Sequence, residues 1–259
     1  FGPSKSAAQI ETSKQWAKAI MAAGNVPTGR SVAVSNMEEA LAALDAFGLP
    51  VVIKADGLAA GKGVVVAQTR AEAVEALGSF LTDRALGEAG ALCLIEEYLD
   101  GSELSVFALC DGKTTRLISF ACDYKRAYDG DAGLNTGGMG AYAPPAIVTP
   151  ELLETVMRTI VVPTAAAMDA AGAPMCGVFY AGLMLTASGP KVTEFNCRFG
   201  DPEIQVMLPL LDGDLVDLLY RTATGELGGI EEIAMKSGAA VGVVAASGGY
   251  PGLYETGKP

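Results

Sequence analysis

A hairpin near the centre of the C-terminal half sets the first limit on this fold. Residues 178–186 and 191–197 read as two strands across the short turn Ala187-Ser-Gly-Pro190, which pairs them antiparallel. Side chains alternate along a strand, so Glu194, Asn196 and Arg198 share one face while Phe195 and Cys197 point into a core. That face offers a carboxylate, an amide oxygen and a guanidinium in a row. Hard oxygens suit Mg²⁺, and an adjacent arginine suits a phosphoryl or carboxylate group. Taken alone, the stretch is as consistent with a surface strand whose polar residues are incidental. It ends in Gly200-Asp-Pro-Glu203, where Asp201 is placed to cap a helix and Pro202 to fill its first turn.

Other strands and helices surround this hairpin. Residues 4–24 read as one helix with Trp16, Ile20 and Ala23 on a common face, stopped by Gly24. Asn36 with Glu39, and Thr69 with Glu72, have the spacing of capping boxes. Short strands at 51–54 and 64–67 flank a glycine loop, and successive strands follow at 92–98, 103–110 and 115–122. Residues 123–145 read as a glycine-rich loop, long enough to suggest a function. A helix from Thr149 should end or kink at Pro163. Two more helices are expected around 204–211 and 215–222, then a glycine-rich strand at 239–246. Residues 170–190 are uncharged and long enough to span a membrane, yet Gly172, Pro174, Gly177 and Gly182 favour a buried strand.

Composition removes several kinds of chemistry. Histidine is absent, which excludes histidine zinc sites, Ser-His-Asp triads and an imidazole base. The formal net charge of −12 argues against non-specific binding to nucleic acid or an anionic membrane. Cys93, Cys110, Cys122, Cys176 and Cys197 show no CxxC spacing, and most of them lie in apolar runs and read as small buried residues of a reducing, cytoplasmic protein. No secretory signal opens the chain, and the missing initiator Met leads us to expect a fragment.

Three further constellations bear on function. Lys54-Ala-Asp-Gly-Leu-Ala-Ala-Gly-Lys-Gly63 is a glycine loop between strands, with Gly57, Gly61 and Gly63 as small residues and Lys54 and Lys62 as cations. Backbone N–H groups in such a loop can approach phosphate oxygens, although the spacing is not that of a Walker loop. A flexible hairpin turn is the plainer alternative. In Ile95-Glu-Glu-Tyr-Leu-Asp-Gly-Ser-Glu103, the backbone at Tyr98 and Leu99 could read an adenine edge and Glu103 accept from ribose hydroxyls; solvated strand ends look the same. Asp123-Tyr-Lys-Arg126, leading to Asn135-Thr-Gly-Gly-Met-Gly140, suits a phosphorylated substrate, with a solvated basic pair as the alternative.

Together these motifs resemble the ATP-grasp enzymes, and within them the phosphoribosylamine–glycine ligase family. Arg198-Phe-Gly-Asp-Pro-Glu-Ile-Gln205, the 50–64 stretch and Asn135-Thr-Gly-Gly-Met-Gly-Ala-Tyr142 carry the likeness, which runs from Phe1 to Pro259. Tyr124, Ala132 and Leu134 depart from the common family residues. The resemblance implies an α+β ATP-grasp fold with an antiparallel central sheet and a small lid. Residues 1–28 and 96–235 would form the core, 29–95 the lid, and 236–259 the start of a truncated C-terminal domain; a separate N-terminal domain would be missing. It further implies that Lys14 and Lys54 contact ATP phosphates under the loop of Gly57, Gly61, Lys62 and Gly63. Glu96, the Tyr98–Leu99 backbone and Glu103 would hold adenosine, and Glu97 also matches the family. Glu194 and Asn196 would bind Mg²⁺, or Mn²⁺. Arg198 would sit beside the reacting carboxyl, and Lys54 would assist it in catalysis. Asp123, Lys125, Arg126, Asn135, Thr136, Gly137, Gly138 and Asp201 would meet glycine and 5-phosphoribosylamine. A monomer, or part of a larger purine-pathway polypeptide, would be expected.

Overall fold

The computed structural model describes residues 1–57, 63–130 and 132–257. Strands β1 (Ser31–Val34), β2 (Val51–Ala55), β3 (Val64–Ala67) and β4 (Cys93–Glu97) form an antiparallel sheet ordered β1-β4-β2-β3. Val51, Ile53, Ala55, Cys93 and Ile95 are fully buried on one face of it, under the helices Met37–Phe47 and Arg70–Leu77. Thr69 and Glu72 make the expected capping box. At the other helix Asn36 accepts from the Glu39 N–H, but Glu39 bonds Ser35 N instead of returning to Asn36. β4 belongs to this smaller sheet, so residues 92–98 do not continue into the strands that follow.

The larger sheet comprises β5 (Ser102–Asp111), β6 (Thr115–Tyr128), β7 (Ala132–Ala143), β8 (Cys176–Thr186), β9 (Gly189–Asn196) and β10 (Ala240–Val243). Its order is β10-β7-β6-β5-β8-β9, antiparallel throughout. Strict alternation along β5 feeds two cores. Leu104, Val106, Ala108 and Cys110 face the helices Lys14–Ala23 and Val162–Ala170, whereas Phe107 and Leu109 face the helices Glu203–Met207 and Leu215–Thr224. Residues 170–190 accordingly hold a buried strand, β8. Among the described residues no helix is long and apolar enough to cross a membrane.

The structure corrects three further expectations. The first helix breaks at Ser13, which is extended (φ −130°, ψ 108°) and caps a second helix through the Trp16 N–H. Residues 123–145 are mainly a long hairpin of β6 and β7, not a loop; register shifts at Tyr124/Arg126 and Arg126/Tyr128 let glycine-rich strands pair irregularly. As expected, the regular ladder is interrupted at Pro163: the helix Pro150–Val156 gives way to a π-turn over Met157–Val161, and the helix Val162–Ala170 then holds Pro163 in its first turn, where no N–H is needed. Asp201 does not cap a helix backbone: it accepts from the Gln205 side chain at 2.6 Å, and Pro202 occupies the capping position.

Candidate active site

The two sheets meet along β9, and a bulge there creates the site. Gly182 pairs with Glu194 but Leu183 pairs with Val192, so Thr193 is the extra residue and its carbonyl is outside the ladder. Lys54 of β2 donates to that carbonyl at 2.7 Å. Because Lys54 lies opposite Leu94 on β4, Glu96 two residues along shares its face. The Lys54 ammonium is 3.2 Å from Glu96 Oε2, and Lys18 reaches the same oxygen at 3.1 Å. Glu96, expected to help hold adenosine, instead lies buried beneath the lysines with its carboxylate committed to them.

Lys14 opens the helix that Ser13 caps, and its ammonium donates to the Gly57 carbonyl at 3.4 Å. Burial lowers its pKa from the ordinary lysine value, with Glu194 pulling the other way and Lys54 adding to the depression. Gly57 is glycine for a packing reason: a Cβ there would lie 2.6 Å from that of Ala89. Its N–H is directed at the Ala89 carbonyl at 3.4 Å and not at a ligand. Gly63 accepts from Ala55 N at 2.8 Å. Gly61 and Lys62 lie outside the described residues.

Across the junction, Glu103, Lys125, Tyr180, Gly182, Thr193 and Glu194 line a small pocket. Lys125 pairs with Asp123 at 2.7 Å and Glu103 at 3.3 Å. Burial opposes its charge, but Asp123 and Glu103 outweigh burial and raise its pKa. Glu194 is exposed and makes no hydrogen bond or ion pair among the described residues. Asn196 is buried, with its Oδ1 3.3 Å from Arg198 Nη2. Glu11 holds Arg198 at 3.2 Å and accepts from the Cys197 N–H at 2.9 Å. Phe195 stacks on Phe179 in the core, as alternation requires. One carboxylate and one amide oxygen make an incomplete all-oxygen donor set. That fits a hard cation whose remaining ligands are phosphate and water oxygens. No cluster of three or more His, Cys, Asp or Glu able to cage a metal occurs among the described residues.

Tyr98 is half-exposed, and Tyr98 and Leu99 run on from β4 without regular structure. Glu97 is committed elsewhere, to Lys191 at 3.1 Å and Arg30 at 3.0 Å. The glycine strand approaches the Gly-Asp-Pro-Glu turn: at Gly138 (φ +124°) a Cβ would lie 2.4 Å from Pro202 Cδ, which joins two motifs far apart in sequence. Thr136 Oγ1 accepts from the Gly138 N–H and donates to the Lys125 carbonyl, both at 2.9 Å. The Gly137 N–H is given to Tyr250 Oη at 3.0 Å. Arg126 pairs with Asn135 in the hairpin ladder and donates to the Gly133 carbonyl, so both stay on the hairpin. All five thiols are unpaired, and only Cys93 and Cys110 are fully buried; burial raises Cys93 to about 11. Sequence reasoning missed Lys18, Glu11 and the Tyr180–Glu203 contact. Lys18 alone left a signal, its four-residue spacing from Lys14 on one helix face.

A small antiparallel sheet reaching with its buried Lys54 to a backbone carbonyl of a larger one defines the ATP-grasp class. Residues 12–204 match the phosphoribosylglycinamide synthetase, ATP-grasp (A) domain family, and the chain belongs to it. It is 49% identical over 259 residues to the phosphoribosylamine–glycine ligase of Agrobacterium fabrum, covering all of this chain and 61% of that protein. A bifunctional purine biosynthetic protein of Schizosaccharomyces pombe is 48% identical over 257 residues, covering 99% of this chain and 32% of that one. The crystal structure of phosphoribosylamine–glycine ligase from Thermotoga maritima superposes with a TM-score of 0.90 at 35% identity, over 98% of this chain and 64% of that one. The chain thus spans about three fifths of the length of the Agrobacterium protein, and about a third of the bifunctional one.

Proposed function

We propose that this chain is the nucleotide-binding and catalytic part of a cytoplasmic phosphoribosylamine–glycine ligase. Residues 29–95 act as the lid, 1–28 and 96–235 as the core, and 236–259 as the start of a further domain. The observation that carries the reading is Lys54 reaching from the lid to β9, beside Glu194 and Asn196. In this reading the glycine carboxylate attacks the γ-phosphate of ATP, giving glycyl phosphate and ADP. The amine of 5-phosphoribosylamine then attacks the acyl carbon, phosphate leaves, and glycinamide ribonucleotide is formed. Lys14 and Lys54 bind the ATP phosphates, while the Tyr98–Leu99 backbone and Glu103 face the nucleoside. Arg198 orients the reacting carboxylate. Asp123, Lys125, Arg126, Asn135, Thr136, Gly137, Gly138 and Asp201 serve the substrate side.

Glu194 and Asn196 would hold Mg²⁺, with Mn²⁺ as an alternative, and a bound cation supplies neutralisation of phosphate charge. No protein nucleophile is needed, and positioning with charge neutralisation supplies the rate. The protein acts as a monomer or within a larger polypeptide, an arrangement that the bifunctional yeast relative supports.

Glu194→Ala in the full-length protein is expected to reduce ADP release driven by glycine and 5-phosphoribosylamine by roughly a hundredfold or more. Near-normal turnover would refute the metal role. ATP binding with no substrate-dependent ADP release in the wild type would show a binding module instead of a ligase.

A further inference from the structure

Glu96 Oε2 carries two ammonium groups, and they are not equivalent. Lys18 and Lys54 approach it at 3.1 and 3.2 Å, with side-chain exposures of 14% and 10% against 6% for Glu96. Lys18 uses its remaining donors on Thr28 Oγ1 and the Gly29 carbonyl, both at 2.9 Å. Thr28 in turn donates to the Val192 carbonyl at 2.7 Å. All three N–H bonds of Lys18 therefore have partners, and its ammonium is fixed to both sheets. Among the described residues Lys54 has only Glu96 and the Thr193 carbonyl as partners, which leaves one donor for a ligand.

A buried carboxylate left without a counter-charge is costly. Were Lys54 the sole partner of Glu96, moving its ammonium toward an anion would strand that carboxylate. With Lys18 in place, one cation stays on Glu96 whatever Lys54 does. We propose that Lys18 is a positioning residue that holds the charge of Glu96 and so releases Lys54 to bind a nucleotide polyphosphate. The proposal rests on the reading that Lys54 contacts ATP.

Calorimetric titration of the full-length protein with ATP and Mg²⁺ tests it. Lys18→Met is expected to weaken ATP binding by roughly tenfold, the scale of one charge-assisted hydrogen bond withheld from the phosphate. Adding Glu96→Gln to that variant removes the charge that retains Lys54, and most of the affinity should return. Lys18→Arg keeps a cation on Glu96 and should bind ATP within about threefold of wild type, close to the usual coupling error. Equal losses in the single and double variants, or in the Met and Arg variants, would overturn the proposal. If Lys18→Met does not fold, Glu96→Gln alone decides: binding at least as tight as wild type supports it, and weaker binding overturns it. Wild-type protein that binds no ATP would overturn the nucleotide reading and this inference with it. Tight wild-type binding that Lys18→Met leaves unchanged would overturn the inference alone.

Discussion

Glu203 shows how much a motif residue can hide. It closes the Gly200-Asp-Pro-Glu203 turn with 2% of its surface exposed. Tyr180 donates to its Oε1 at 2.9 Å, and Ser105 Oγ is 3.5 Å from the same oxygen. Gly200 presses on it closely, since a Cβ there would lie 2.5 Å from Glu203 Cδ. Burial, and then the charge of Asp123, raise its pKa above the ordinary 4.5. The folded state thus holds this proton more tightly than the unfolded chain. The resulting stability is complete below the ordinary value and declines as pH rises through the folded pKa. Glu203→Gln keeps an acceptor for Tyr180 and cannot ionise. Thermal melts at a series of pH values should show the variant gaining on wild type as pH climbs above 4.5. A gap that does not change with pH would show that burial leaves this carboxyl unperturbed. In sequence, an acid just after proline reads as an ordinary first-turn residue. Its burial depends on β5 pairing with β8, which brings Ser105 and Tyr180 together behind it.

At the level of elements, nothing in the pattern marks the bulge at Thr193, but the β8–β9 hairpin was legible because its turn is short and a long apolar run leads into it. The break at Ser13 was not, because Ile10, Ala17, Ile20 and Met21 are all buried in the core and their pattern runs across it. Trp16 also stands where a capping box would need Glu or Gln. The break is fixed by Asp56, just past the end of β2, which accepts from Ser13 Oγ at 3.1 Å and from the Gln15 N–H at 2.7 Å. It brings the helix start, and Lys14 with it, to the junction between the sheets. The β6–β7 hairpin escaped for a different reason. Its glycines give no apolar period, and its pairing is continuous only where Cys122, Asp123 and Tyr124 lie against Tyr142, Ala141 and Gly140, resuming after register shifts at Arg126–Asn135 and Tyr128–Ala132. Ser13→Ala removes the cap and one Asp56 contact. It should cost about 0.5–2 kcal/mol of stability by urea titration. An unchanged midpoint would mean that Asp56 alone holds the helix start.

For the whole molecule, the division of its apolar interior matters most. One cluster, from Val34 to Ile95, belongs wholly to the smaller sheet and its helices, and the other two lie on either face of the larger sheet. The sheets are joined instead by polar contacts: Lys54 to Thr193 and Lys191 to Glu97. A junction of this kind opens with little loss of apolar burial, so the lid should open below the cost of global unfolding. Glu97 tests the point without touching the phosphate pocket. Burial opposes its ionisation, but hydrogen bonds from Lys191 and Arg30 outweigh burial and hold its pKa below 4.5. Its stabilising share is therefore present above that value and is lost as pH falls through the folded pKa. For a pair this exposed the share is at most about 1 kcal/mol. Glu97→Gln at neutral pH should speed amide exchange in β1–β4 by up to roughly fivefold, the equivalent of that energy, while β5–β9 keep their protection. The difference should shrink as pH falls below 4.5, where wild-type Glu97 takes up its proton. Equal acceleration in both sheets would instead mean that they open as a single unit.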